Sequence, residues 1–485
     1  MTELRHKSNR HIIKRIIVRG TLVLDTPTCL GSGDADSPTD LPLLRDSISN
    51  HALLTGSSIA GALRNYLRER KHGYMASEYA DDLATLLFGG MRSDDDGNQS
   101  PLIIDDAIST QPIKAELRDG VKINSVTRTA EDKAKYDLEL LQAGTEFTLS
   151  FELLIERDAN KVDLLKALAI ALSGLENQEI CLGMKKRRGF GRCHVKEWQV
   201  WTFELTDTGD RMAWLLFERE CSNKLPVITD KIADALGVVL EGEDKRDRFT
   251  LKATFQLVGS LLIRSGQDTP GRAPDVVHLK SHRNDELKSV LSGTSLAGVL
   301  RHRAERIVKT LGSCSPIVDK LFGYVVGKQS QASRLFVCET EIEEAKDLVQ
   351  NRIAIDRFTG GAYHGALFGE QPIFGGKDTC VTIELELRKP EKYEIGLLLL
   401  LLKDLWTQDL PVGGESSIGR GRLQGKDANL TWYQWDDDKK SQWQEEWKIK
   451  QPDPKQPLQF SGSDKQKLED FVSEFVTYIG KGEKP

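Results

Sequence analysis

Residues Gly56–Arg70 read GSSIAGALRNYLRER, and Gly293–Arg306 read GTSLAGVLRHRAER. Each copy follows an apolar or small lead-in, Leu53-Leu54-Thr55 or Val290-Leu291-Ser292, and each opens a helix. Hydroxyls at Ser57 or Ser58, and at Thr294 or Ser295, suit an N-cap, because a side-chain oxygen can take an orphan N–H of the first turn. Gly61 and Gly298 stand one turn in, followed by Arg64 and Arg301 at the same place in each copy. Uncapped N–H groups, hydroxyls and an arginine one turn on suit a phosphate. A single copy reads as an ordinary capped helix with a surface arginine; two at matched positions point to a repeated site.

Around the first copy, Ile12 to Asp25 alternate as a strand, and Leu102-Ile103-Ile104-Asp105 and Phe147 to Ile155 read as two more. Val162 to Leu175 have the spacing of a helix packed on a sheet. A last strand runs from about Val195 to Phe203. The order is β-α-β-β-α-β, the ferredoxin-like split βαβ arrangement. Residues Gln111 to Ala143 are charged and long for a loop, a sign of function or disorder.

The second half repeats the order. Leu251 to Ile263 lead to the Gly293 helix, Leu321-Phe322-Gly323 match Leu87-Phe88-Gly89, and Leu335-Phe336-Val337 match Leu102-Ile103-Ile104. An insert from about Glu341 to Lys377 precedes the strand Cys380 to Leu387, and Tyr393 to Trp406 answer Val162 to Leu175. The offsets are about 237 (293 − 56), 234 (322 − 88) and 230 (419 − 189) residues, nearly constant as tandem duplication requires. The expected fold is α+β: two ferredoxin-like modules with long inserted regions, over 1–204 and 249–435. A connector at 205–248 and a tail at 436–485 carry packing and spacing but no chemistry.

The totals bound the function. A chain of 485 residues exceeds one core and fits two domains. With 67 basic against 73 acidic residues the formal net charge is −6, so nucleic-acid binding must rest on local clusters. Seven Cys without framework spacing point to a reducing compartment. The basic start lacks a signal-peptide h-region, and the longest apolar run, Leu397 to Leu402, is too short to span a bilayer. These features predict a soluble cytoplasmic protein without membrane contact.

The strongest local signal after the helices is GMKKRRGFGR, where Lys185, Lys186, Arg187, Arg188 and Arg192 surround glycines and Phe190. Backbone that permits close approach, flanked by cations, suits a polyanion, and Phe190 can stack on a base or fill the core. The second copy, GGESSIGRGRL, is less basic but keeps Arg420 and Arg422.

A β-α-β-β-α-β module with a G-[ST]-S-x-x-G-x-x-R helix and a late G-x-G-[RK] loop resembles the CRISPR RAMP superfamily of RNA-binding proteins. Each half is most similar to the backbone subunit of type III effector complexes, and the tandem form resembles the fused double subunit of type III-D-like systems. In that family the loop before the helix carries an aspartate in a D-x-P-[apolar]-x-[basic]-D run, which Asp40-Leu41-Pro42-Leu43-Leu44-Arg45-Asp46 fits. The second module departs from it: Asp275-Val276-Val277-His278-Leu279-Lys280-Ser281 keeps the Asp and a basic residue but loses the Pro and the closing Asp.

The resemblance implies stacking along a guide CRISPR RNA beside other type III subunits, with a thumb that interrupts the guide–target duplex. It implies cleavage of complementary target RNA by Asp40, which would also hold a divalent ion such as Mg or Mn. Asp275 is a second cleavage candidate, or marks an inert module. Arg128 and Arg357 lie in the two thumb regions, where an arginine serves a phosphate or a salt bridge alike. Two other readings stay open: a non-catalytic RNA-binding scaffold, and a His-dependent guide-processing nuclease using His51, His278, His282 or His302. Cys181, Cys193 and His194 lack the C-x-x-C pair that would support zinc. No Walker loop, Rossmann fingerprint or serine-hydrolase elbow is present.

Overall fold

The computed structural model describes residues 11–33, 40–77, 79, 82–90, 99–124, 127, 129–217, 224–240, 242–265, 274–283, 286–312 and 316–481. The first module contains β1 (Ile12–Leu24), α1 (Gly56–His72), α2 (Leu83–Phe88), β2 (Leu102–Ile104), β3 (Ala115–Ile123), β4 (Ala130–Leu141), β5 (Glu146–Glu156), α3 (Lys161–Glu176) and β6 (Cys193–Glu204). Alternation along β1 sends Ile16, Val18, Leu22 and Leu24 into one core with Leu164, Leu168 and Leu172 of α3. The sheet is antiparallel, ordered β2-β5-β1-β6 with Val227–Thr229 at its far edge.

The second module repeats the plan with β7 (Arg248–Val258), α4 (Gly293–Thr310), α5 (Ile317–Phe322), β8 (Leu335–Val337), β9 (Gln350–Ile355), β10 (Ala362–Gln371), β11 (Cys380–Arg388), α6 (Lys392–Trp406) and β12 (Arg422–Asp436). β7 lies between β11 and β12 as β1 lies between β5 and β6. The two expected ferredoxin-like modules are therefore present. The two long inserts are neither loops nor disorder: β3 pairs with β4, and β9 with β10, as antiparallel hairpins, the thumbs. The alternation of the first escaped reading because its outgoing strand turns charged Glu116 and Arg118 inward and leaves Leu117, Val121 and Ile123 exposed, the reverse of the usual pattern.

The connector and tail are built into the modules. Arg246 donates to Asp244 at 2.6 Å and to Glu179 of the first module at 2.8 Å. Beyond β12, Ser441–Lys450 extends the second sheet, and a helix at Gln466–Lys481 buries Phe471 and Phe475 in the same core as Leu398 of α6. No described helix is long and apolar enough to cross a membrane.

The modules meet through a charge lock. Arg118 of the first thumb pairs with Glu339 of the second module at 2.8 Å, and Arg283 reaches the same carboxylate at 2.6 Å. Glu116, also buried, accepts from Ser281 Oγ at 3.0 Å and from the His282 N–H at 2.7 Å. Burial alone would raise Glu339, but Arg118 and Arg283 hold it below the ordinary carboxylate value. Arg118→Ala should lower the unfolding free energy by about 3 kcal/mol, because it leaves a buried carboxylate under-compensated. Urea denaturation checks this; a loss below about 1 kcal/mol would place the lock among near-neutral surface pairs.

Candidate nucleic-acid interface

The Asp40 loop is pinned along the returning strand of its thumb. Leu41 bridges to Leu138, the Leu43 N–H donates to Glu139 at 3.0 Å, and Arg45 pairs with Glu139 at 2.6 Å. This holds the exposed Asp40 so that one oxygen, Oδ2, accepts the Asp137 N–H at 2.9 Å. The second module reproduces the arrangement: exposed Asp275 accepts the Gly369 N–H of β10 at 2.7 Å. Each carboxylate is oriented through one oxygen, which leaves the other to meet a ligand.

The departures of the second loop have local causes. Asp46 caps its own turn, accepting the Ser49 N–H at 2.6 Å. Ser281, its counterpart, is buried against Glu116, where a second carboxylate would add an unpaired charge. Val277 lies in a strand paired with Arg264-Ser265. Neither change touches Asp275.

His278 occupies the place of Leu43 and is buried, its Nδ1 accepting the Ile263 N–H at 3.2 Å. Burial pushes its pKa down to about 4, against 6.5 for a free imidazole. A depressed imidazole stabilises the fold above pH 6.5 relative to acid, and that stability, about 3 kcal/mol, is lost as pH falls through 4. His278→Leu should flatten stability across that window in urea titrations at stepped pH. An unchanged acid limb would clear His278. The buried, neutral ring has no opening toward a substrate, so it does not serve the His-nuclease reading.

The first glycine-rich loop meets the second module. A 3-10 turn, Lys186–Arg188, lies between left-handed Lys185 and Gly189. The Arg188 carbonyl packs on Gly293, the first residue of α4, so closely that a Cβ there would lie 2.3 Å away. Among the described residues, Arg188 bonds to the carbonyls of Arg187 and Phe322. Arg187 lies over the ring of Phe336 with its centre 5.4 Å away, and its buried Nε has no hydrogen-bond partner among the described residues. Burial first, then Arg388 for Arg187 and Arg301 for Arg188, pull both below the ordinary arginine value. The carboxylate beside Arg187, Glu69, is engaged by Arg388 at 3.5 Å. Arg187 and Arg188, close enough that Arg187 also lowers the pKa of Arg188, make a candidate site for an anion.

Other sequence-predicted residues fall elsewhere. The N-caps are Thr55 and Ser292, not the serines and threonine that follow; their hydroxyls accept the N–H groups of Ser58 and Ser295. Ser57, Ser58 and Thr294 are exposed in the first turns, and Ser295 is half-buried. Arg64 and Arg301 do not point a free guanidinium at the helix start. They donate to the carbonyls of Gly90, at 3.2 Å, and Gly323, at 2.8 Å, just past the short helices α2 and α5. Phe190 is 3% exposed in the core and is not available for stacking on a base. Arg420, in its place in the second copy, is also 3% exposed and paired with Glu370 at 3.0 Å and Glu415 at 2.7 Å, so it does not reach RNA.

Lys185 lies over Tyr136, 3.8 Å from the ring centre, and Arg192 pairs with Glu384 across the junction at 3.2 Å. Arg422 is exposed and donates to the Gln408 carbonyl at 3.0 Å. Arg357 is exposed at the tip of the second thumb beside fully exposed Phe358, and Arg128 lies outside the described residues. Phe336 was legible only as part of a matched strand and Arg388 not at all, since neither belongs to a binding motif. Among the described residues no group of three or more His, Cys, Asp or Glu could hold a metal ion. His194 pairs with Asp25 at 2.8 Å.

Two stretches, 21–194 and 254–424, each match the sequence profile of the RAMP superfamily. The chain belongs to the RAMP superfamily. It is a tandem CRISPR RAMP protein, of a family whose members bind CRISPR RNA, assemble with other Cas subunits and include RNA endonucleases. No curated protein matches it. In this RAMP protein the two Asp loops and the junction loop fall inside the matched stretches, whereas most of the connector and the tail fall outside them.

Proposed function

We propose that this tandem RAMP protein is a double backbone subunit of a type III effector complex, of the III-D-like kind. It holds guide CRISPR RNA along its sugar-phosphate chain and cuts paired target RNA once per module. The observation that carries the reading is the repeated carboxylate: Asp40 and Asp275 sit on the same thumb strand position through the same hydrogen bond, 2.9 and 2.7 Å long. Such an anchored carboxylate can accept the proton of a target 2′-hydroxyl or orient it for in-line attack.

A hard divalent ion such as Mg or Mn fits the single free oxygen of Asp40, because such ions keep several waters and take phosphate oxygens readily. When bound it would offset charge developing on the phosphate. Arg187 and Arg188 would hold a guide phosphate between the modules, and the thumb tip with Arg357 and Phe358 would part the duplex. The complex would include neighbouring backbone, small and large subunits in the cytoplasm. The test is a target matched to a defined guide in the assembled complex. Two cuts attributable to this chain, removed by chelation, support the reading; intact target with normal binding favours a scaffold.

A further inference from the structure

The junction inside the chain shows how one module of this design receives another, and strand register carries that contact onto the outer faces. Ala115 faces Leu141 as Asp347 faces Ile373, and Asp119 faces Asp137 as Asn351 faces Gly369. Leu348 therefore stands where Glu116 stands in the lock, and Gln350 where Arg118 stands. On the receiving side, Ala107 faces Leu54 as Thr340 faces Leu291, which puts Asp106 in the place of Glu339. Asp46 holds the place of Ser281. The second glycine-rich loop has the backbone of the first, a 3-10 turn at Ser416–Ile418 between left-handed Glu415 and Gly419. Gly191 and Gly421 even share a φ of +78° and a carbonyl 1.8 Å from where a Cβ would be.

The side chains on this shared frame are inverted in character. Ile418, 56% exposed, replaces Arg188, and Leu348, 52% exposed, replaces buried Glu116. Glu415 replaces Lys185 but is drawn to Arg420 at 2.7 Å and Arg352 at 3.3 Å. Gln350 accepts from Arg420 at 3.0 Å. Gly189 is packed against the Glu339 backbone, whereas Gly419, in the same conformation, has nothing within 4 Å of its would-be Cβ among the described residues.

A second copy would bring Asp46 and Asp106 to this face. Asp46 would lose water against Leu348, and Asp106 would meet Gln350 where Glu339 meets Arg118, while the nearby Arg420 and Arg352 are already engaged by Glu370 and Glu415. We infer that the face formed by the second thumb and second glycine-rich loop receives a different protein subunit, seated as the second module is seated on the first thumb. Its matching palm is uncharged and apolar where this chain carries Asp46 and Asp106. The inference rests on the tandem fold and its inner contact, not on RNA cleavage.

Sedimentation velocity on the full chain at tens of micromolar tests it. The wild type should sediment as one chain. Asp46→Ser with Asp106→Asn makes its own palm a neutral partner and should produce concentration-dependent head-to-tail dimers and longer chains, with association at least tenfold stronger. Adding Leu348→Glu and Ile418→Lys should return it to single chains. If the serine variant fails to fold, Asp46→Asn with Asp106→Asn keeps both acceptors and takes its place. Wild-type dimers dissolved by Leu348→Glu would show that a second copy is the occupant. A neutral-palm variant that stays single would show that the face does not receive such a palm. A tenfold loss of RNA affinity in Leu348→Glu would make it an RNA surface instead. Any of these three results overturns the proposal.

Discussion

Asp40→Ala should erase one target cut and Asp275→Ala another, with guide and target binding unchanged; the double variant should leave the target whole. The expected loss at each site is at least about 100-fold in cleavage rate, the usual scale for removing a positioned acid–base or metal-binding carboxylate. Alanine alone would confuse chemistry with structure, since each Asp also accepts a thumb N–H. Asparagine separates the two. Its amide oxygen can still accept from Asp137 or Gly369, but it carries no charge and is no base. Asp40→Asn and Asp275→Asn should therefore be as inactive as the alanine variants while keeping the parent's unfolding midpoint. If the asparagine variants cut at the parental rate, both residues are loop anchors and the cleavage reading is lost. If only Asp275 tolerates asparagine, the second module is an RNA-holding one alone.

The second large effect is expected at the junction. Arg187→Ala with Arg188→Ala should weaken guide binding by about 100-fold, taking each charge-assisted contact at about 1.5 kcal/mol. The slope of log affinity against log salt should fall by about 1.4, since each single-strand phosphate contact contributes about 0.7. The same substitutions should not lower the stability of the RNA-free chain. These two guanidiniums sit among other cations with no carboxylate of their own, so truncating them relieves repulsion. Arg420→Ala should do the reverse: parental RNA affinity and salt slope, but reduced stability from breaking a buried ion cluster. Parental affinity in the Arg187/Arg188 variant would show that the junction holds no phosphate.

Motifs translated well where chemistry is local to a few residues. The Asp40 run, the two helices and the two glycine-rich turns lie where their spacing put them, because tight turns and helix starts are set by neighbours in sequence. Side-chain roles translated less well. Phe190 and Arg420 hold one backbone position, and nothing in G-F-G-R or G-R-G-R says that both point inward. Arg64 and Arg301 look like phosphate ligands in a motif, but the short helix that follows brings a carbonyl within their reach. The thumbs were legible only as long polar inserts, since a strand that buries Glu116 and Arg118 and exposes Leu117 inverts the hydropathy alternation by which strands are read.

The amino-acid order alone determined the duplication and the α+β repeat, since periodicity and near-constant offsets survive without coordinates; the two candidate carboxylates came from the likeness of their loops to the family's motif. Tertiary structure decided how the copies meet: that Arg188 abuts α4 and Arg187 lies over Phe336 of the other module, that Glu116 and Arg118 lock onto Ser281 and Glu339, and that Leu348 and Ile418 are left facing outward. Those facts join residues more than a hundred positions apart. Whether a cation there is paired, buried or unanswered depends on which groups the fold brings within a few ångströms, and local sequence does not encode that distance.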